Sequence, residues 1–255
     1  IMRKFVTTLA FVAGVSLGGN AFAAGDAPHP PAMDWSFNGL FGTYDKASLQ
    51  RGYQVYKEVC AACHSMRLIS FRHLTALGYT EDEAKAFASE YEVTDGPNDD
   101  GEMFDRPGRV SDRFPSPYPN PQTARASNGG ALPPDLSLIT KARVGGPDYI
   151  HALLTGYTDP PAGVQMSDGM NYNTYFPGHQ IAMAPPLSDE IVTYADGQPK
   201  PTLDQLATDV SHFLNWAAEP ELEVRKQTGW KVILFLIVFT ILAYVTKRRI
   251  WADVH

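Results

Sequence analysis

The stretch Cys60-Ala61-Ala62-Cys63-His64 places two thiols and an imidazole within five residues. Cysteines three positions apart lie on one face of a helical turn, so both sulfurs can bond to one flat ligand. The C-x-x-C-H pattern is typical of c-type haem attachment, in which two thioethers hold the porphyrin and the histidine binds the iron. A zinc site is the alternative, but it needs further ligands and the chain has only two cysteines. We therefore expect haem c bound through Cys60 and Cys63, with His64 as a ligand to the metal.

The iron of such a haem has a second axial position, and a thioether there raises the reduction potential and suits an electron carrier. We favour Met183, because Pro177 and Pro185 flank its loop and would hold a weak ligand at a fixed distance. An open position for a gas or a peroxide is one alternative. The rival ligands are His179, Met170, Met166 and Met103.

Helices must position these residues. Apolar and aromatic residues at helical spacing (Leu49, Tyr53 and Tyr56) predict a helix that leads directly into the C-x-x-C-H motif. Capping patterns predict two more helices, from Thr80 to about residue 91 and from Thr202 to about residue 218. A short helix is predicted over 147–155. The fold class is therefore expected to be all-α with extensive irregular loops.

Pro, Gly, Asn and Asp dominate the segments between these helices, and Gly (21) and Pro (20) are frequent in the whole chain. This composition predicts an extended arm over 24–42, long surface loops and not strands over 95–135, and loops again over 157–190. Hydrophobic residues make up 44% of the chain and charged residues 19%, which leaves enough apolar material for a packed core.

Both ends of the 255-residue chain carry apolar stretches. Arg3 and Lys4, an apolar run and Ala21-Phe22-Ala23 predict a signal peptide over 1–23 that is cleaved, the alternative being an uncleaved anchor. The apolar residues 232–245, followed by three cations, predict a transmembrane helix over 229–247 rather than a buried core helix. We therefore expect a periplasmic haem domain over 24–228, a cytoplasmic tail over 248–255 and a bacterial inner membrane location.

The formal net charge of −7 is concentrated in one segment. Between residues 81 and 105 ten acids are opposed only by Lys85. A solvated face is the plain interpretation, and a docking field for a basic partner is the functional one, because such fields speed association. The acids are Glu81, Asp82, Glu83, Glu90, Glu92, Asp95, Asp99, Asp100, Glu102 and Asp105.

Several longer motifs follow one another along the chain. They are Arg51-Gly52-Tyr53-Gln54-Val55-Tyr56 before the C-x-x-C-H motif, Phe71-Arg72-His73-Leu74 after it, Gly130-Ala131-Leu132-Pro133-Pro134-Asp135-Leu136-Ser137, and Ala182-Met183-Ala184-Pro185-Pro186. In these motifs, from about Trp35 to Trp251, the chain resembles the cytochrome c1 family, the haem subunits of the cytochrome bc1 complex. The resemblance implies a class I cytochrome c-like haem domain with one C-terminal transmembrane helix.

The resemblance also implies residue roles. Met183 is implied as the sixth ligand, and Arg143 is implied to meet a haem propionate, which a guanidinium can bind through two hydrogen bonds. The alternative for Arg143 is a solvated surface charge. Some family members carry a disulfide in this domain. This chain cannot form it, because both of its cysteines are assigned to the haem, so its loops around 156–170 must be ordered by other contacts. The remaining implied pocket residues are Asn128, Ala131, Pro134 and Tyr149.

The implied function is electron transfer. The chain would take one electron from the Rieske iron–sulfur protein and pass it to soluble cytochrome c, which could dock at segment 81–105. It would lie beside cytochrome b in the membrane lipid, as a subunit of quinol:cytochrome c oxidoreductase, a translocase. We expect no catalytic residue in the isolated chain and no nucleic-acid partner. Two alternatives are the anchored cytochrome subunit of a terminal oxidase, and a haem sensor or enzyme with a labile sixth ligand.

Overall fold

The computed structural model describes residues 27–254, and the predicted signal peptide lies outside this range. Helices and loops dominate, which confirms the expected fold class. The α-helices in chain order are α1 (Lys46–Glu58), α2 (Glu81–Ser89), α3 (Pro121–Ser127), α4 (Ile139–Ala142), α5 (Gly146–Thr155), α6 (Leu203–Ala218) and α7 (Leu222–Ile250). Two 3-10 helices cover Cys60–Ala62 and Phe71–Leu77.

The capping patterns predicted helix starts correctly. The Thr80 side chain accepts from the Glu83 amide and the Glu83 carboxylate accepts from the Thr80 amide at 2.7 Å, a reciprocal capping box. The Thr202 hydroxyl accepts from the Gln205 amide at 3.2 Å. The helices that follow end at Ser89 and Ala218, so the second predicted end is confirmed and the first lies two residues earlier than expected.

Helices α1 and α6 form the centre of the fold. Gly52 of α1 lies so close to α6 that a Cβ atom at this position would be 2.0 Å from the Asp209 carbonyl oxygen. Arg51 binds the Asp209 carboxylate through Nε and Nη2, both at 2.9 Å, and Asp209 is fully buried. A buried carboxylate needs such a partner, because an unpaired charge there would cost several kcal/mol. The Arg51-Gly52 pair therefore fixes how the helix before the C-x-x-C-H motif packs.

The expectation of loops without strands over 95–135 was wrong in part. Strands β1 (Glu92–Asp95) and β2 (Phe104–Pro107) form an antiparallel hairpin in which Glu92 pairs with Pro107. Helix α3 also lies in this segment, started by Asn120, whose side chain accepts from the Thr123 amide at 2.8 Å. A second, two-residue pair of strands, β3 (Asn171–Tyr172) and β4 (Gln180–Ile181), lies in the other predicted loop.

Two aromatic residues of the arm before α1 are buried in the core. Trp35 and Phe37 are 5% exposed and stack on each other with ring centroids 5.6 Å apart. The Trp35 Nε1 donates to the Asp148 carboxylate of α5 at 2.5 Å. The His212 ring of α6 packs nearly perpendicular to the Phe37 ring, with centroids 5.0 Å apart. The arm therefore packs against both α5 and α6.

Three residues separate helix α7 from α6, and α7 is longer than the predicted span. At 1.5 Å per residue its 29 residues extend over about 43 Å. An 18-residue window has a mean hydropathy of 2.1, and none of it is buried. Within residues 27–254 this is the one helix long and apolar enough to cross a membrane.

Candidate functional site

The C-x-x-C-H motif forms a tight turn at the end of α1. The amides of Cys63 and His64 both donate to the Cys60 carbonyl, at 3.1 and 2.9 Å. This turn holds the two cysteines and the histidine within five residues, with Cys60 half-buried and Cys63 exposed. Burial, with a smaller contribution from Cys63, raises the pKa of the Cys60 thiol to about 12, so this thiol is protonated at neutral pH.

His64 has a fixed orientation. Its Nδ1 lies 2.8 Å from the Pro134 carbonyl oxygen. Because a carbonyl oxygen only accepts, Nδ1 carries the proton in this hydrogen bond and Nε2 keeps its lone pair. Burial lowers the pKa of the ring against the opposing effects of Pro134 and Asp135, which favours the neutral imidazole that binds metals. A ligating histidine is normally held by such a bond from its other nitrogen.

Asp135 fastens the Pro134 segment to the chain that follows His64. Its carboxylate accepts from the Ser65 hydroxyl at 2.8 Å, the Arg67 amide at 2.9 Å and the Ser137 amide at 3.0 Å. Burial by itself would raise the pKa of Asp135, but these hydrogen bonds outweigh it and lower the pKa to about 2. The Leu136 amide adds a bond to the Ser65 carbonyl at 2.8 Å. We call these contacts the Asp135 clamp, and they determine where the Pro134 carbonyl meets His64.

The loop that holds Met183 is tied down through its backbone. The Tyr157 hydroxyl and the Asn171 side-chain amide donate to the Met183 carbonyl at 3.1 and 3.4 Å. The Met183 side chain is half-buried and packs against the hydrophobic core. Fully buried Asn173 braces the neighbouring turn by donating to the Leu153 carbonyl at 2.7 Å. This loop is therefore ordered by hydrogen bonds to residues 157, 171 and 173.

The rival ligands lie in different surroundings. His179 adopts a left-handed backbone conformation (φ 60°), and its ring stacks on Tyr172 with centroids 5.4 Å apart. Its Nδ1 lies 3.3 Å from the Asn173 carbonyl. Met103 is 61% exposed beside β2, far from a packed environment. Met166 and Met170 are half-buried in the loop before β3.

The other predicted pocket residues fall into two groups. Asn128 donates to the Ala124 carbonyl at 2.7 Å and to the Tyr118 hydroxyl at 3.1 Å. The Tyr118 hydroxyl in turn donates to the Cys63 sulfur at 3.8 Å, so the 118–128 segment reaches the C-x-x-C-H turn. The amide of half-buried Ala131 donates to the Asn128 carbonyl at 3.0 Å, which joins this residue to the same segment.

Arg143 and Tyr149 form the second group. Tyr149 is 9% exposed at the start of α5, and burial raises the pKa of its hydroxyl while the nearby Arg143 charge opposes that shift. Arg143 is exposed, and its Nη1 donates to the Ala142 carbonyl at 3.1 Å. It forms no ion pair with any carboxylate in residues 27–254, so its charge is available to another anion. No hydrogen bond in that range joins Met183 to the other predicted site residues.

Three residues with clear roles at the site were missed from the sequence. Tyr118 contacts Cys63, Asp135 forms the clamp, and Tyr157 holds the Met183 backbone. A usable signal existed for Asp135, because Asp-x-Ser is a pattern in which a carboxylate binds the amide two residues later. Within residues 27–254 no three His, Cys, Asp or Glu side chains form a group that could hold a metal ion.

Comparisons with known proteins cover nearly the whole chain. A model of the cytochrome C1 family matches residues 35–254. "Cytochrome c1 1, heme protein, mitochondrial" of Arabidopsis thaliana is 53% identical over 98% of this chain and 82% of its own length. "Cytochrome b-c1 complex catalytic subunit, mitochondrial" of Candida albicans is 53% identical over 91% of this chain and 81% of its own. "Cytochrome c1" of Rhodospirillum rubrum is 47% identical over 94% of both chains. With its C-x-x-C-H turn, its oriented histidine and these matches, the chain belongs to the cytochrome c1 family.

Proposed function

We propose that this chain is the haem-carrying electron-transfer subunit of a cytochrome bc1 complex. In this proposal haem c is attached through Cys60 and Cys63, with His64 and Met183 as iron ligands. The observation that carries the proposal is the 2.8 Å bond between the His64 Nδ1 and the Pro134 carbonyl, directly after the C-x-x-C turn. It leaves the Nε2 lone pair of His64 free for the iron, directly after the two cysteines that would attach the porphyrin.

The residues of the site fit this cofactor in three respects. Cys60 is half-buried and Cys63 is exposed on one tight turn, as suits two sulfurs that attach one flat group at the protein surface. Arg143 offers an exposed guanidinium that has no carboxylate partner in residues 27–254, and a buried propionate requires such a cation. Met183 offers a weak thioether ligand from a loop held by Tyr157. When bound, the haem supplies a one-electron ferric–ferrous couple.

The protein's own residues would perform the positioning. The Asp135 clamp and Pro134 orient His64, so the imidazole reaches the metal without losing rotational freedom on binding. Asn128, Ala131 and Tyr149 would line the pocket and limit the entry of water. Lower exposure to water and a thioether ligand both tune the reduction potential. No substrate bond is made or broken by the chain, so catalysis would belong to the assembled quinol:cytochrome c oxidoreductase, a translocase.

The assembly and location follow from the relatives and from α7. The family and the Candida relative, named as a subunit of the cytochrome b-c1 complex, support a place beside cytochrome b. Helix α7 would be the single membrane span, with its polar end at Lys247 on the cytoplasmic side and the haem domain over 24–228 in the periplasm. The electron donor would be the Rieske iron–sulfur protein and the acceptor soluble cytochrome c.

The acidic segment 81–105 supports a basic acceptor. Four of its acids cap a helix or form ion pairs within the described chain. Glu83 caps α2, and Asp82, Glu90 and Asp95 pair with Lys85, Lys57 and Arg106. The other six are exposed and form no ion pair with residues 27–254, so their field extends into solvent. These six are Glu81, Glu92, Asp99, Asp100, Glu102 and Asp105.

The docking role can be tested by neutralising Asp99, Asp100 and Glu102 as Asn, Asn and Gln. We expect association with cytochrome c to slow by about tenfold at low ionic strength, with a weaker dependence on salt. The matched control neutralises three exposed acids outside the segment, Asp34, Asp196 and Glu221. Equal effects of the two triple variants on the salt dependence would show that segment 81–105 has no docking role.

The iron ligation can be tested with Met183→Leu, using Met103→Leu as the control at an exposed site. We expect the first variant to lose the weak long-wavelength charge-transfer band of thioether–iron(III) ligation and to have a much lower reduction potential. We also expect its ferrous form to bind carbon monoxide, which the unsubstituted protein should bind poorly. An unchanged potential in Met183→Leu would mean that another residue is the sixth ligand.

A further inference from the structure

A turn of the arm exposes two large apolar side chains at the base of α7. Leu40 is 76% exposed and Phe41 is 75% exposed, although Phe37, three residues before Leu40, is buried in the core. We call residues 38–42 the Leu40–Phe41 turn. Large apolar side chains that protrude together from a folded surface normally meet another apolar phase.

The turn is rigidly connected to α7. The Lys226 ammonium of α7 donates to the Phe37 and Gly42 carbonyls, at 2.6 and 3.0 Å, and so joins both ends of the turn to the helix. The Glu223 carboxylate accepts from the Tyr44 amide at 2.8 Å. The turn itself is tight, because a Cβ atom on Gly42 would lie 2.0 Å from the Asn38 carbonyl oxygen. The backbone of the turn is therefore held against the helix.

One contact shows which residue of α7 lies beside the turn. The Phe41 ring meets the Trp230 ring edge to face, with centroids 6.0 Å apart. Trp230 is 51% exposed and immediately precedes the apolar surface that begins at Val232. Tryptophan is enriched where helices enter the lipid headgroup region. A bilayer that surrounds α7 from Val232 onward must therefore also meet Phe41.

We propose that the Leu40–Phe41 turn is a second, interfacial membrane contact, which inserts both side chains at the boundary of headgroups and acyl chains beside α7. The occupant of this surface is lipid rather than protein, because the turn continues the lipid-facing surface of the same helix. The Lys226 bonds satisfy the two carbonyls that insertion would otherwise leave without partners. The turn would fix the tilt and depth of the haem domain above the membrane. The inference rests on the proposed role of α7 as a membrane span.

The test uses the full haem-loaded chain in nanodiscs of phosphatidylcholine and phosphatidylglycerol. A nitroxide label is placed at one site at a time in the variants Leu40→Cys, Phe41→Cys, Val164→Cys and Ile237→Cys. Val164 is the matched control, since it is an exposed apolar residue in a loop distant in sequence, and Ile237 is the reference inside α7. Power-saturation EPR then compares collision with oxygen, which concentrates in lipid, and with a water-soluble nickel chelate.

We expect the labels at 40, 41 and 237 to collide more with oxygen than with nickel, and the label at 164 to show the reverse. The proposal is overturned if the labels at 40 and 41 collide more with nickel than with oxygen, as at 164, while the label at 237 lies in lipid. The proposed membrane span of α7 would then still hold. Nickel access at 237 as well would overturn both. Exclusion of both reagents from 40 and 41 in the purified complex would show that a protein subunit covers the turn, which also contradicts the proposal.

The unsubstituted chain is the blank in this experiment. It should take up no label, because both cysteine sulfurs are thioethers in the proposed haem-loaded form. Label uptake by the blank would count against haem attachment and not against the turn.

Discussion

Replacing Asp135 by asparagine tests the clamp that orients His64. The carboxylate accepts three short hydrogen bonds, from the Ser65 hydroxyl, the Arg67 amide and the Ser137 amide, and a fourth from the Arg67 side chain at 3.2 Å. An asparagine has nearly the same shape but only one acceptor oxygen, and its NH2 group would face a donor. The variant therefore removes charge and acceptors without creating a cavity.

The size of the effect follows from the pKa of Asp135, which is about 2 in the folded protein against 3.8 for an unperturbed side chain. A difference of nearly two pKa units at 1.36 kcal/mol each corresponds to about 2.5 kcal/mol of stability. Because the folded-state pKa is lowered, this contribution is fully present above about pH 4. It is lost as the pH falls from about 4 to 2 and the carboxylate becomes protonated.

Denaturant unfolding of the full chain in detergent micelles would measure this effect, with the fluorescence of buried Trp35 and Trp216 as the signal. We expect Asp135→Asn to be about 2.5 kcal/mol less stable than the unsubstituted protein at pH 7, with the difference shrinking below pH 4. Asp196→Asn, at an exposed carboxylate outside the site, should show no such difference. If the stability difference between Asp135→Asn and the unsubstituted protein stays constant from pH 7 to pH 2, the ionised carboxylate is not what stabilises the clamp.

Two further predictions concern the packing of α1 and α6. Gly52→Ala should lower the free energy of unfolding by about 3 kcal/mol, since its Cβ would meet the Asp209 carbonyl, whereas the control Gly229→Ala, with open space around it, should not be destabilising. Burial lowers the pKa of His212 to about 4, so the folded state favours the neutral ring. Stability should fall by about 3 kcal/mol between pH 6.5 and 4, and His212→Gln, which keeps an acceptor for the Asp45 amide, should lose this dependence. A retained pH dependence in that variant, or equal stabilities of the two glycine variants, would contradict these assignments.

Local features of the fold were predictable from the sequence, because they depend on neighbours within one helical turn. The C-x-x-C-H turn and the capping residues Thr80 and Thr202 are of this kind, and the structure forms them as predicted. The identity of the iron ligands remains a prediction.

Features that depend on distant parts of the chain were not predictable. The β1–β2 hairpin lacks an alternating apolar pattern, and Arg106 holds it by pairing with Asp95 and Asp112. The bond between His64 and Pro134 joins residues 70 positions apart, and that between Arg51 and Asp209 joins residues 158 apart. No pattern in a single sequence indicates which loop will supply a carbonyl to a given histidine.

One haem should be bound covalently at the turn formed by Cys60, Cys63 and His64. Intact-mass spectrometry of the purified full chain under denaturing conditions tests it most directly, with the double variant Cys60→Ala/Cys63→Ala as the control. We predict that the unsubstituted polypeptide keeps the mass and the visible absorbance of exactly one haem after unfolding, and that the double variant keeps neither. A colourless chain with the mass of the polypeptide alone, after expression with a functional haem-attachment system, would show that no haem is attached at this turn.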